Sequence, residues 1–458
     1  MVAAIKHAAH AWDADVAALP VSTPASVEEL QAKLRRRYSF QRPLELDEVA
    51  RDVGALLRGH ATHANHPRHF GLFQPGVCAA SVLGDAITAL HNPQVGAWWY
   101  APAACELEQH VLRFFLGKIG FDPDTAAAHF TTGGSEATAT AVLTALSRRL
   151  PAVDRVGLNG RRPTLYVSAQ GHDSVLKIAQ MTGLGRDAVR RVAVDARQRM
   201  DLDDLQSHVE ADAAAGHVPL LVIATAGTTG AGAVDPLPAL ASLCRDRDLW
   251  LHVDAAWGGL ALLSRRSAPL LDGIGRADSV TWDAHKTLPV PTGAGMFFCR
   301  HPGPVRAAFD VHTAYVPDEV DGSEDLYRTS MQWSRRLMGL KIFMVLAERG
   351  ERGVEAMVDH QLTMGRALKQ RLTTAGWSVL NSSPLPVVCF THDDLARRPG
   401  AVERAVERIV RRGRVWLSEI RLGETESVFR ACVCNHRTAE RDLDVLLQEV
   451  ERQRLKLR

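Results

Sequence analysis

Lysine is scarce in this chain of 458 residues. Of 54 cationic side chains only eight are lysine: Lys6, Lys33, Lys118, Lys177, Lys286, Lys341, Lys369 and Lys456. Arginine keeps its proton at working pH, so it clamps anions but cannot act as an amine nucleophile. Lysine chemistry therefore has few candidates. Net charge is nearly absent as well, with 54 cations against 52 carboxylates. That balance gives no support to a nucleic-acid grip or a polybasic membrane patch. No apolar run reaches the roughly 18 residues of a spanning helix. The Ala-rich N-terminus carries Lys6, Asp13 and Asp15 and lacks the apolar stretch of a secretory signal. Cysteine is sparse, seven in all and scattered. Cys432 and Cys434 have no second pair at metal-ligand spacing, so they read as alternating positions of a strand and no metal is expected. A reducing, cytoplasmic compartment is the expectation.

What is present is ordinary globular composition, 46% hydrophobic and 23% charged. The length suits a large domain with a smaller satellite. Residues 1–77 read as a helical, dimerisation-type segment. Ser26-Val27-Glu28-Glu29 is a capping box that opens a helix through Arg37, and Pro43 is placed to open a second. Residues 78–345 alternate. Leu165–Val167, Val189–Val194, Leu220–Thr225, Trp250–Val253, Ser279–Trp282 and Met296–Cys299 have strand character. Ser135–Arg149, Asp173–Met181 and Pro236–Arg247 have helix character. Such alternation predicts an α/β fold with a mostly parallel sheet, whose ligands bind at the carboxyl ends of the strands. Residues 346–458 read as a small α+β domain. It has strands near Trp377–Leu380, Pro386–Phe390 and Val428–Val433, a helix near Val402–Arg412, and a last helix capped by Thr438.

Three features fall at strand ends or helix starts. Thr131-Thr132-Gly133-Gly134-Ser135-Glu136-Ala137 opens an Ala-rich helix whose bare N–H groups suit a phosphate, or form a plain N-cap. Leu251-His252-Val253-Asp254 is an apolar strand ending in a carboxylate, which is costly to bury without a cation and otherwise reads as a helix cap. Asp278 to Thr287 delivers His285 and Lys286 into a turn before Pro289. A lysine leaving a sheet there can serve in Schiff-base work; alone, it would be a surface lysine. Together they supply what pyridoxal phosphate needs: donors for the phosphate, a carboxylate for the ring nitrogen and an amine for the aldehyde.

The chain resembles the group II pyridoxal-phosphate-dependent amino-acid decarboxylases of the fold-type I superfamily. The resemblance is carried by Gly134-Ser135-Glu136-Ala137, Gly171-His172-Asp173-Ser174, Ala226-Gly227-Thr228-Thr229, His252-Val253-Asp254-Ala255-Ala256 and Asp283-Ala284-His285-Lys286. It implies a seven-stranded, mostly parallel sheet and pyridoxal 5'-phosphate as cofactor. It also implies a homodimer with shared active sites. Lys286 would form the internal aldimine and Asp254 would pair with the pyridine nitrogen. His172 would stack on the ring, Gly134 and Ser135 would hold the phosphate, and Thr228 and Ala256 would line the cofactor. His285 would neighbour the phosphate. Asp283 stands where relatives often carry Asn.

Tyr315, before the polar stretch Asp318 to Glu324, falls where relatives carry a loop tyrosine that protonates Cα. The reaction so implied is loss of carbon dioxide from an L-amino acid through a quinonoid, leaving an amine. Oxidative deamination to an aldehyde, and transamination, stand as alternatives. By the same resemblance the substrate pocket would use Leu72, Phe73, Gln94, Trp98 and Ser334, near the Pro102–Glu108 stretch. Arg335, Arg336 and Arg430 are the arginines to seek near the site. The sequence names no substrate.

Overall fold

The structure, a computed structural model, describes residues 2–422 and 427–457. Three helices lead the chain: α1 (Val2–Ala18), α2 (Val27–Arg37) and α3 (Leu46–His60). The Ser26 hydroxyl caps α2 by accepting from the Glu29 N–H at 3.3 Å. The second predicted helix begins at Leu46, three residues after Pro43, with Glu45 as N-cap. Helix α1 packs on α4 (Ala79–His91), whereas α2 and α3 bury no residue. Leu34, Leu46, Val53 and Leu57 are exposed on them. Helix α5 (Pro102–Ile119) starts at a proline, as helices tolerate at their first turn, and packs under the sheet.

The large sheet has seven strands: β1 (Ala127–Thr131), β2 (Pro163–Ser168), β3 (Val189–Val192), β4 (Val218–Thr225), β5 (Trp250–Asp254), β6 (Ser279–Asp283) and β7 (Gly295–Cys299). Their spatial order is β1-β7-β6-β5-β4-β2-β3. Strands β6, β5, β4, β2 and β3 pair in parallel, and β7 runs antiparallel to both β6 and β1. The fold is the mostly parallel α/β sheet expected of fold-type I. Strand β1 had no counterpart among the predicted strands, because Ala127-Ala128-His129-Phe130-Thr131 opens with two alanines and has Thr131 as its one β-branched residue. Helix α6 (Gly134–Arg149) follows β1. Its small Ala and Thr side chains are buried, which lets the helix lie close on β6 and β7. Apolar cores fill both faces of the sheet, as parallel strands require.

A second sheet, order β10-β11-β9-β8, is antiparallel, from β8 (Ser378–Val379), β9 (Val387–Thr391), β10 (Ser418–Arg421) and β11 (Ser427–Cys432). Helices Ala401–Arg412 and Glu440–Leu457 pack against each other over a separate core, where Phe390 stacks on Phe429. Two readings change here. The Thr438 hydroxyl donates to the Pro67 carbonyl at 2.7 Å, and Asp442 accepts from the Ala439 N–H instead. The 345/346 division falls inside one helical stretch, Leu340–Thr374, whose non-helical residue is Gly350. All seven cysteines are free and buried, and Cys432 ends β11. Among the described residues no helix is long and apolar enough to cross a membrane.

Candidate active site

Parallel strands carry their C-terminal residues to one edge, and the order β6-β5-β4 sets Asp283, Asp254 and Thr225 there together. Thr225 pairs in register with Asp254. The antiparallel strands bring Thr131 and Asp283 opposite Gly295, so the start of α6 reaches the same edge. A cavity of about 340 Å³ opens there. Its walls include Gly134, Ser135, His172, Asp254, Ala256, Asp283, His285 and Lys286.

Lys286 sits in the short helix Ala284–Thr287 directly after β6. Its Nζ lies 2.9 Å from Asp283 Oδ2, and His285 Nε2 lies 3.9 Å from the same oxygen. Burial holds the His285 imidazole below its ordinary pKa, partly offset by Asp283. The His285 Nδ1 accepts from the Ala294 N–H, which fixes the ring. On β5, the Ala256 N–H donates to Asp254 Oδ1 at 3.0 Å. Burial pushes the Asp254 carboxyl up, and the Lys286 charge pulls it back. His172 accepts from the Ser174 N–H at Nδ1, which leaves Nε2 as the free ring nitrogen.

The donors and acceptors present fit pyridoxal 5'-phosphate. The first turn of α6 offers N–H groups ahead of any helical carbonyl. A Cβ at Gly134 would stand 3.1 Å from Asp283 Oδ2 and 3.4 Å from Ala256 Cβ, so a side chain would fill the cradle. Thr225 Oγ1 is buried with no partner among the described residues, a polar atom awaiting a ligand. Thr225 and Trp257 are walls that sequence reasoning gave no part, and Gly227 and Thr229 are walls that it placed only within the Ala226-Gly227-Thr228-Thr229 motif. The strand-end rule would have flagged Thr225 as the last residue of β4.

Several expected residues lie elsewhere. Thr228 is buried beside the cavity, with its hydroxyl accepting from the Ala233 N–H at 3.1 Å; Gly227 and Thr229 are the walls. Tyr315 is 76% exposed and does not reach Lys286 within this chain. It lines a second cavity of about 270 Å³ with Gln94, Trp99, Tyr100, Tyr327 and Trp333. Trp98 is half-buried, its indole N–H held by Glu106. Leu72 and Ser334 are exposed. Phe73 stacks on Trp257 at 4.2 Å, under the Arg430 guanidinium. Arg430 donates to the carbonyls of Thr229 and Gly71, so it braces a cavity wall. Arg335 is buried and donates to Ser330 and to the Phe130 carbonyl, whereas Arg336 is exposed.

Comparison with known proteins gives one answer. The family model for the pyridoxal-dependent decarboxylase conserved domain matches residues 28–393. Rat cysteine sulfinic acid decarboxylase is 32% identical over 411 residues, covering 86% of this chain and 83% of that protein. An aromatic-L-amino-acid decarboxylase from Bacillus atrophaeus is 30% identical over 400 residues, covering 85% and 82%. A crystal structure of mouse CSAD superposes with a TM-score of 0.89 at 30% identity, covering 95% of this chain and 94% of that one.

Proposed function

As a member of the pyridoxal-dependent decarboxylase family, to which the chain belongs, the protein is a carboxy-lyase that uses pyridoxal 5'-phosphate, and we propose that it converts an L-amino acid to its amine and carbon dioxide with Lys286 as the cofactor's attachment point. The observation that carries this assignment of residues is the sharing of one cavity by Lys286, Asp254 and the start of α6. When bound, the cofactor supplies an electron sink for the pair released from the bond between Cα and the carboxylate.

The chain's own groups do the rest. The N–H groups of Gly134 and Ser135 hold the phosphate on the positive end of α6. Asp254 takes the ring nitrogen and keeps its proton in place. Fixed charges of this kind contribute about 10²- to 10³-fold in rate. His172, oriented by the Ser174 N–H, would cover the ring face and leave Nε2 free for the substrate carboxylate. Ala256 packs beneath. Phe73, Trp257 and the Arg430 brace close the side toward the small domain and exclude water.

The proton for Cα comes from Tyr315 of a second copy of the chain. This is supported by its exposure and by its cavity of Gln94, Trp99 and Trp333, separate from that of Lys286. The apolar residues that α2 and α3 expose are suited to cover that second copy, and the working unit is a homodimer. The deciding experiment loads the protein with cofactor, offers a panel of L-amino acids, and measures carbon dioxide and amine together. Equal amounts of both are expected. Aldehyde with ammonia and peroxide, or exchange with a keto acid, overturns the reading.

A further inference from the structure

His172 lines the cavity with Asp254 and Lys286, yet the residue is exposed, so packing does not set its place. The backbone on either side must do so. Strand β2 ends at Ser168, and the chain doubles back at once. The Gly171 N–H donates to the Ser168 carbonyl at 2.8 Å, and a Cβ at Gly171 would stand 2.4 Å from Val167 Cγ2. The helix Ser174–Met181 begins three residues later. Arg191 spans the histidine between these anchors. It lies on the edge strand β3, in register with Val167. Its Nη1 donates to the Gly171 carbonyl at 3.2 Å, one residue before His172. Its Nη2 donates to Asp173 Oδ1 at 2.5 Å, one residue after. A third contact, to the Ser168 carbonyl, is long at 3.5 Å. The planar fork of a guanidinium holds two acceptors in fixed directions, which a lysine amine cannot do.

We propose that Arg191 is a positioning residue for the reaction, setting His172 over the cofactor ring by clamping the chain on both sides of it. The proposal rests on the reading of His172 as the residue that covers the ring. Arg191 is not a wall of the cavity, so it acts through His172 and not on the substrate. The Asp173 side chain is 87% exposed and that of Arg191 29%, so their ion pair adds little to stability in water. What the clamp fixes is direction. The carbonyl it holds belongs to the peptide bond that enters His172, and a turn of that peptide swings the imidazole away from its place. The Ser174 N–H, 3.1 Å from Nδ1, then sets the rotation of the ring itself. A misplacement of about 1 Å by a change remote from the chemistry can cost about 10²-fold in rate. Loss of the clamp therefore lowers the rate while leaving the fold in place.

A double-mutant cycle on the full-length protein loaded with pyridoxal 5'-phosphate tests this, using wild type, Arg191→Met, His172→Ala and the double variant. Visible circular dichroism of the bound cofactor is read first, because it needs no substrate. The second readout is kcat with the L-amino acid that the wild type turns over fastest. Arg191→Met is expected to change the visible ellipticity and to lower kcat about 10- to 100-fold, with the urea midpoint close to wild type. In the His172→Ala background the same substitution is expected to change neither readout further. Equal losses in both backgrounds overturn the proposal. So does an Arg191→Met protein with the ellipticity and kcat of wild type. Arg191→Lys, which reaches one acceptor at a time, is expected to fall between, and it takes the place of Arg191→Met in the cycle if that variant does not fold. A His172→Ala protein as active as wild type removes the reading of His172, and this proposal with it. An impaired His172→Ala beside a normal Arg191→Met removes the role of Arg191 alone.

Discussion

Lys286 Nζ and Asp283 Oδ2 close a 2.9 Å ion pair across the first turn of the helix after β6. The lysine is held by a carboxylate that is itself almost wholly buried. Lys286→Ala is expected to abolish the visible absorbance of the cofactor-loaded protein and to lower amine production by about 10³-fold or more. It also strips Asp283 of its near cation, and the cofactor-free variant should lose about 1–3 kcal/mol of stability in urea. A visible band unchanged from wild type would remove Lys286 from its role.

The separation of Tyr315 from the Lys286 cavity makes a genetic prediction. Tyr315→Phe should lose about 10²-fold or more in amine formation, the usual weight of a positioned proton donor. Mixed dimers of Tyr315→Phe with Lys286→Ala should regain activity. One of their two sites then pairs an intact lysine with an intact tyrosine from the other copy. Co-expression of the two tagged variants, purification of the mixed dimer and a carbon dioxide assay check this. If the mixed dimer is as inactive as its parents, the tyrosine acts within its own chain or not at all.

Packing behind Asp254 predicts a contrast between two glycines. A Cβ at Gly258 would stand 1.9 Å from the Ala226 carbonyl oxygen, in the turn between β4 and the cavity. Gly258→Ala should lose about 1–3 kcal/mol and bind cofactor more weakly, because the backbone around Ala226 and Gly227 must shift. Gly117, inside α5, would meet nothing within 4 Å. Gly117→Ala should gain about 0.5–1 kcal/mol from helix propensity. Urea denaturation measures both, and equal effects would contradict the packing argument.

Buried histidines set the acid limit of the fold. Burial pushes His66, His69 and His436 down to about 4, and His252 to about 3. The unfolded chain takes up protons at these positions from about pH 6.5 downward while the folded chain does not. Stability from these groups is therefore full above about pH 6.5 and falls as pH drops toward about 4. Carboxyls that burial pushes up work in the opposite sense, Asp235 to about 6 and Glu108, Asp254, Glu324 and Asp325 in the same direction. His69, stacked on Trp416, gives the simplest test. In His69→Phe the unfolding free energy measured in urea should fall less steeply between about pH 6.5 and about pH 4, by up to about 1.4 kcal/mol per pH unit. An unchanged slope would mean His69 is accessible to protons in the native state.

Much of the large domain was legible from short runs. Leu220–Thr225 and Trp250–Val253 announce themselves as strands because they are continuous apolar segments, the pattern of a sheet buried on both faces. Strand β1 did not, since its alanines carry no such pattern and become buried only between α5, α6 and β7. Thr438 looked like a helix cap because hydroxyls favour that place. The tertiary fold instead brought the Pro67 carbonyl within reach.

By itself the sequence determined which polar residues end apolar strands, which glycines open α6, and that one lysine of eight follows a strand and a histidine. Those are local facts, set by period and by the chemistry of strand and helix ends. The tertiary structure alone decided that β6, β5 and β4 are neighbours, so that Asp283, Asp254 and Thr225 share an edge. It also decided that the Thr228 hydroxyl is taken by the Ala233 N–H, that Tyr315 faces a different cavity, and that Asp283 lies against Gly134 at the start of α6 with one oxygen unpartnered among the described residues. The physical reason is distance along the chain. Strand order and cavity walls arise from pairings between residues far apart along the chain, Thr131 with Gly295 among them, and no local pattern records which of them will meet.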